Sequence, residues 1–289
     1  MNDITEFLGL ERDYDFDSEM VQYLENFTDY TDVRYTIYIP SKGRSKYGHT
    51  AKLLEDNGIE NYYIVVEPQD YDDYLKKYGA ERLIMLPEND RGIAYARTFI
   101  KKYSNNKGEI FHWQMDDDMI SYRLRIDNKN KKVNPRHCFS IVEDITDKFS
   151  NVAMSGITHF AFAFSKKKAV ALNHMVYGVV LVNNSVTQEW RSETNEDLDF
   201  SLQILESGWC TIAFNKVLFD TFTTGKLEGG NMLNLFADDG RKKIYENTAE
   251  LWPGRFKVKK LDSDRGWTLK HIRRFYNDYK QQPKLKDTN

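Results

Sequence analysis

The chain has 289 residues, a net charge of −3 and two cysteines, Cys138 and Cys210. That length allows a sizeable core in one large domain, or one domain with an appendage. The widely spaced cysteines argue against a disulfide scaffold or a zinc site, no apolar run reaches bilayer length, and the near-neutral total charge excludes a chain-wide polyanion-binding surface. With an acidic start and no basic, apolar leader pattern, the expected location is the cytoplasm.

In chain order, residues 1–32 are acidic and weakly amphipathic, with Met20, Val21, Tyr23, Leu24 and Phe27 predicting a short helix. A β-rich run at 34–40 ends in Pro40 and is followed by a Ser41-Lys42-Gly43-Arg44 loop. A helix is expected around 50–57, a strand at 62–66, a helix at 71–78 and a strand at 82–86. Residues 92–103 place Ile93, Ala96, Phe99 and Ile100 on one helical face. A strand is expected over 109–118, ending in three carboxylates, Asp116, Asp117 and Asp118. Strands alternating with helices in this way predict parallel βαβ units.

Beyond the acids the pattern changes. Residues 121–126 alternate as a strand, 127–134 form a charged turn and 135–149 a helix. Strands are expected at 158–164, 178–182, 210–214 and 217–222, and a helix at 197–207. A glycine-bearing loop spans 223–231. Two basic helices, near 237–250 and 267–280, flank a Lys-rich strand-like segment. The expected organisation is an acidic segment over 1–32, a catalytic α/β domain with a mixed sheet over 33–235, and a basic C-terminal helical extension over 236–289 packed on that domain.

Three adjacent acids at a strand end repel one another and gain nothing from packing, so a hard divalent cation is the natural partner, although an acidic surface turn has the same composition. In an extended segment Asp116 and Asp118 point to one side and Asp117 to the other. Lys42 and Arg44 carry donors for phosphate or a nucleobase carbonyl, and Arg97 lies one turn into a helix that opens at Gly92. Asn195-Glu196-Asp197 opens another helix, where acids either cap the end or reach a cleft as a proton acceptor. Basic clusters lie at 123–136 and 255–286, either as solvated faces or as a nucleic-acid surface.

In combination, Ile39-Pro40-Ser41-Lys42-Gly43-Arg44, the helix with Arg97, the Asp-x-Asp pattern at 116–118 and the pair Glu196-Asp197 resemble a GT-A fold nucleotide-sugar glycosyltransferase. More narrowly, those motifs with Trp113-Gln114-Met115 and Gly229-Gly230-Asn231 are similar to the TET-associated glycosyltransferases, bacteriophage enzymes thought to glycosylate hydroxymethylated pyrimidines in DNA. The resemblance implies a GT-A-like, Rossmann-type mixed sheet. It also implies Mn²⁺ or Mg²⁺ held by Asp116 and Asp118 against the diphosphate of a UDP-sugar such as UDP-glucose, with Asp117 on ribose or sugar hydroxyls. Pro40, Ser41, Lys42 and Arg44 would line the uridine site, and Arg97 would meet the diphosphate or sugar. Asp197 or Glu196 would be the general base, giving displacement with inversion; as a substrate contact instead, the same acid would fit a retaining enzyme. A late histidine often adds a metal ligand in such enzymes, and His271 is the last one here.

The implied partner is double-stranded DNA carrying 5-hydroxymethylcytosine or 5-hydroxymethyluracil, with the phage host's cytoplasm as the location. Trp190, Trp209, Trp252 and Trp267 are the aromatic residues considered for stacking on a flipped base, with core packing as the alternative. A nucleotidyltransferase and a non-catalytic DNA-binding module are the competing readings.

Overall fold

The computed structural model describes residues 14–25, 32–222, 229, 240–261, 266–274 and 278–287. Its centre is a ten-stranded mixed sheet. Four parallel strands form one half: β1 (Ile37–Ser41), β2 (Tyr62–Val66), β3 (Leu83–Met85) and β4 (Phe111–Met115), in the order β3-β2-β1-β4. The connections are α2 (His49–Asp56), α3 (Tyr71–Tyr78) and α4 (Gly92–Asn106), as the alternating pattern predicts. Upstream, α1 (Phe16–Glu25) buries Phe16 and Met20, and its Glu19 pairs with Lys148. Residues 1–13 and 26–31 of the expected acidic segment lie outside the described residues.

The second half continues from β4 through β9 (Val179–Asn183), β7 (Val152–His159), β10 (Cys210–Thr221) and β5 (Met119–Ile126) to β6 (Lys129–Val133). The short β8 (Val170–Leu172) pairs with β10. Strand β9 is antiparallel to both β4 and β7, so β4 and β7 run in the same direction and end at one edge. Between them in sequence lie α5 (Pro135–Thr146) and, before β10, α6 (Glu196–Glu206).

Strand alternation explains the two-sided core. On β1, Ile37 and Ile39 join the cluster with Trp113, Phe139 and Ile141, whereas Tyr38 packs on the other face with Val65, Ala96 and Ile100. Buried Glu143 of α5 accepts from Trp113 Nε1 at 2.8 Å and from the Arg34 backbone at 3.0 Å, which ties α5 to β4 and to the segment leading into β1. Pro40 does not break β1. Register with β4 covers only Ile37 and Tyr38, so β4 has diverged where the proline lacks its N–H.

Four expectations are corrected. Residues 116–118 form a turn between β4 and β5, not the end of an extended strand. The expected charged turn over 127–134 contains β6, which pairs with β5 as a hairpin through Asp127 and Asn128 at positive φ. Strand β7 stops at His159, and Phe160–Ser165 winds into a 3₁₀ turn because His159 Nδ1 accepts from the Ala161 backbone at 3.1 Å. The C-terminal extension is not wholly helical: α7 (Gly240–Leu251) is followed by a hairpin of β11 (Phe256–Lys260) and β12 (Trp267–His271). The aromatic and branched residues of β12 favour that strand over the expected helix at 267–280. Phe256 and Tyr279 pack against Leu198, Leu202 and Leu205 of α6, which ties the extension to the sheet domain. Among the described residues no helix is long and apolar enough to cross a membrane.

His112 on β4 is fully buried, and burial pushes its pKa from 6.5 down to about 3. The unfolded chain therefore binds a proton across that window and the folded chain does not. Stability must fall as pH drops below 6.5. Denaturant unfolding at pH 7.5 and 5.5 should show wild type losing about 1.4 kcal/mol more than His112→Gln, and equal losses would contradict this.

Candidate active site

The site lies where β1 and β4 end. Arg97 reaches it from α4 and is almost wholly buried at 1% exposure. Its Nη2 donates to Asp116 Oδ1 at 2.9 Å. Its Nε lies 3.6 Å from Glu196 Oε1 and 3.8 Å from Asp197 Oδ1. One guanidinium thus joins the acids after β4 to the acids that open α6. Burial alone would lower the Arg97 pKa, but Asp197, Asp116 and Glu196 outweigh it and hold the proton more tightly. Nε and Nη1 find no hydrogen-bond partner among the described residues.

The three aspartates diverge. Asp117 accepts from Ser41 Oγ and Arg44 Nη1, both at 2.5 Å. Asp116 turns to Arg97, and its side chain is 43% accessible from the cleft even though dense protein surrounds it. That burial, with Asp197 and Asp118 nearby, pushes its pKa up to about 7 against the pull of Arg97. Burial and then Asp117 push Asp118 up to about 6, opposed by Arg44. Glu196 and Asp197 are both raised, again chiefly by burial, with Arg97 opposing.

The Ser41–Arg44 loop is held from below. Tyr74 OH sits 2.6 Å from Ser41 Oγ and accepts from the Arg44 backbone at 3.0 Å. Lys42 pairs with Glu67 at 3.0 Å and Asp90 at 2.5 Å. Gly229 closes on Gly43: a Cβ there would sit 2.7 Å from the Gly43 carbonyl oxygen. Gly230 and Asn231, and the rest of the expected loop at 223–228, lie outside the described residues.

Several contributors had no sequence signal of their own. Thr50 Oγ1 donates to the Asp116 carbonyl at 2.8 Å and accepts from Met119 N–H at 3.0 Å, which fixes the acidic turn. Gly178, at φ +73°, lies against Phe219 and beside Asp116 Oδ2, and its carbonyl accepts from Asp116 N–H at 3.0 Å. Asp199 is structural: Arg191, Gln203 and Trp252 saturate its buried carboxylate.

A cavity of about 710 Å³ opens beside Glu196 and Asp197, walled by His174, Tyr177, Tyr245, Leu269 and His271. The four tryptophans considered for stacking are not exposed. Trp190 stacks on Phe200 at 3.7 Å in the core, Trp252 bonds Asp199, and Trp209 and Trp267 are half-buried.

Among the described residues no group of three or more His, Cys, Asp and Glu is arranged around a single metal position. Asp116 and Asp118 nevertheless suit a hard cation. They offer carboxylate oxygens in a pocket with surplus negative charge, and burial with the neighbouring Asp117 raises the proton affinity of Asp118 despite Arg44 and a backbone hydrogen bond. Mg²⁺ commonly takes one or two protein carboxylates and completes its shell with water and substrate phosphates.

Residues 35–230 match the family described as TET-Associated Glycosyltransferase. No curated protein sequence matches significantly. Similar solved structures include GalNAc-T7 with UDP, GalNAc and Mn²⁺ (10% identity, 78% of this chain and 52% of that one, TM-score 0.44). Others are A197 from STIV (14% identity, 66% and 86%, 0.41) and a putative glucose-1-phosphate thymidylyltransferase from Bacillus anthracis (12% identity, 75% and 95%, 0.39). Likeness at this level carries no argument about function.

Removing Arg97 leaves buried carboxylates without their cation. Arg97→Met should destabilise the protein by about 3 kcal/mol at pH 7.5. The loss should shrink at pH 5, where the raised pKa values let Asp116 and Asp118 protonate. Urea unfolding at both pH values checks this, and an unchanged midpoint at pH 7.5 would contradict it.

Proposed function

The chain belongs to the TET-associated glycosyltransferase family, and from that premise we propose that it moves a sugar from a UDP-sugar to the hydroxymethyl group of a modified pyrimidine in DNA. The observation that carries this reading is the shared arginine. Arg97 brings the acids after β4 and the acids that open α6 within hydrogen-bonding or ion-pairing distance of one side chain. Direct sugar transfer needs a leaving-group site and a proton acceptor that close together.

The charge balance supports a metal-assisted donor site. Lys42, Arg44 and Arg97 already face Glu67, Asp90, Asp116, Asp117, Glu196 and Asp197. A diphosphate entering this acidic cleft would be repelled unless a cation came with it. Asp116 and Asp118 would hold Mn²⁺ or Mg²⁺, which when bound neutralises charge on the departing diphosphate. Arg97 would offer Nη1, which has no hydrogen-bond partner among the described residues, to diphosphate or sugar oxygens. Ser41, Lys42 and Arg44, with Pro40 beneath, would form the uridine end, and Asp117 would orient Arg44 and ribose.

In the chemical step the acceptor oxygen bonds the anomeric carbon as the bond from that carbon to UDP breaks. The hydroxyl proton passes to Asp197 or Glu196. A carboxyl with raised proton affinity suits that task. The cavity beside this pair has the size range of small-molecule sites and would receive the flipped base. The hydroxymethyl carrier, 5-hydroxymethylcytosine or 5-hydroxymethyluracil, is read as part of duplex DNA.

The direct test incubates the protein with Mn²⁺, UDP-sugars including UDP-glucose, and hydroxymethylated duplex DNA, then weighs the digested nucleosides. A hexose-sized gain on the modified base is expected. Absence of a gain with every donor, in protein shown to be folded, would overturn the proposal. Asp118→Ala should abolish transfer without unfolding the chain, and Asp197→Asn should lower kcat by about 10²–10⁴-fold. Full activity in Asp118→Ala would remove the metal role.

A further inference from the structure

The core explains the buried aromatic residues, but not two exposed ones. Phe162 and Phe164 are 57% and 66% exposed on the Phe160–Ser165 turn. They are held out rather than tucked in. Arg125 lies over the Phe164 ring at 5.6 Å, and Arg123 lies over Phe160 at 4.8 Å. Arg123 is itself paired with Asp220 at 3.7 Å. The turn runs straight into Lys166-Lys167-Lys168, of which Lys167 and Lys168 are exposed. Asp15 and Asp17 line a neighbouring cavity together with these lysines.

Place gives the patch its meaning. Strand β7 ends at the same sheet edge as β4, so the turn leaves the sheet beside the candidate active site. Phe162 lies 5.7 Å from His159, and His159 packs edge-on to Phe219 at 5.1 Å. Phe219 touches Gly178, which neighbours Asp116. Phe219 also lies 6.3 Å from Tyr177, a wall of the cavity beside Asp197. Phe162 is therefore linked through His159 and Phe219 to Gly178 beside Asp116 and to Tyr177 beside Asp197.

We propose that this turn is a DNA-docking element: Phe162 and Phe164 stack on bases next to the acceptor or fill the space it leaves on flipping, and Lys167 and Lys168 hold adjacent phosphates. Charge complementarity selects the partner. Paired aromatic faces beside an open row of cations match unstacked bases on a polyanionic backbone. An apolar protein partner would gain nothing from the lysines. The inference rests on DNA being the acceptor, and it adds where the strand lies and which residues grip it.

The test measures binding of fluorescent hydroxymethylated duplex DNA by anisotropy across a salt series. Phe162→Ala combined with Phe164→Ala should weaken binding at least about tenfold and leave the salt slope unchanged. Lys167→Glu with Lys168→Glu should reduce the slope of log K against log salt by about two. Both variants should retain the wild-type melting temperature and the wild-type affinity for UDP with Mn²⁺. Wild-type affinity in the folded phenylalanine variant would overturn the docking proposal alone. Failure of the wild-type protein to bind DNA at all would overturn it together with the DNA-acceptor reading.

Discussion

Burying a guanidinium is costly unless carboxylates surround it, and here three of them do. Arg97 is therefore a constraint on the whole fold as much as a site residue. It comes from α4, Asp116 from the turn after β4, and Glu196 and Asp197 from the start of α6. These elements lie far apart in sequence and must arrive in register for the charge to be tolerated. The dependence runs both ways: without Arg97, the acids would face one another in a protein interior. Even with it, burial raises the proton affinities of all three acids, with neighbouring carboxylates adding to the effect at Asp116 and Glu196.

The sheet supplies that register. Four parallel strands deliver loops to one edge, where open α/β sheets bind ligands. The antiparallel β9 then brings Gly178 against the acidic turn, and only a residue without Cβ fits comfortably at that φ between Phe219 and Asp116. Below, Thr50 of α2 bonds the same turn on both sides. The turn is thus fixed by backbone and hydroxyl contacts, and its side chains are left for ligands. On the other flank, the C-terminal hairpin and α7 form a wall of the cavity beside Asp197, so the basic extension shapes the site itself.

The parallel half of the fold was legible because its strands are short apolar runs bounded by Pro, Gly or acids, and its helices carry a clear apolar stripe. The acidic triplet and Glu196-Asp197 stood out because such clusters have no use in packing. Arg97 was found as a cation near a helix start, but its burial was not visible, since it depends on contacts made from almost one hundred residues away. Thr50, Tyr74 and Gly178 were silent for the same reason: a threonine, a tyrosine and a glycine acquire their roles only from their three-dimensional neighbours. Local competition caused the misreadings. The apolar alternation from 158 to 164 promised a strand until the His159 side chain captured a backbone N–H and curled the chain. The basic run after Gly266 suggested a helical face, yet its residues pair with β11. The tryptophans considered for stacking are buried or half-buried, whereas among the described residues Phe162 and Phe164 are the phenylalanines left exposed.

The most direct test of the central claim, that one buried arginine couples the two acidic halves of the site, is a double-mutant cycle in urea unfolding. It compares wild type, Arg97→Met, Asp197→Asn and the double variant at pH 7.5. A coupling of about 2 kcal/mol or more, with Asp197→Asn relieving much of the damage done by Arg97→Met, is the predicted result. Additive losses, with coupling within about 0.5 kcal/mol of zero, would contradict it.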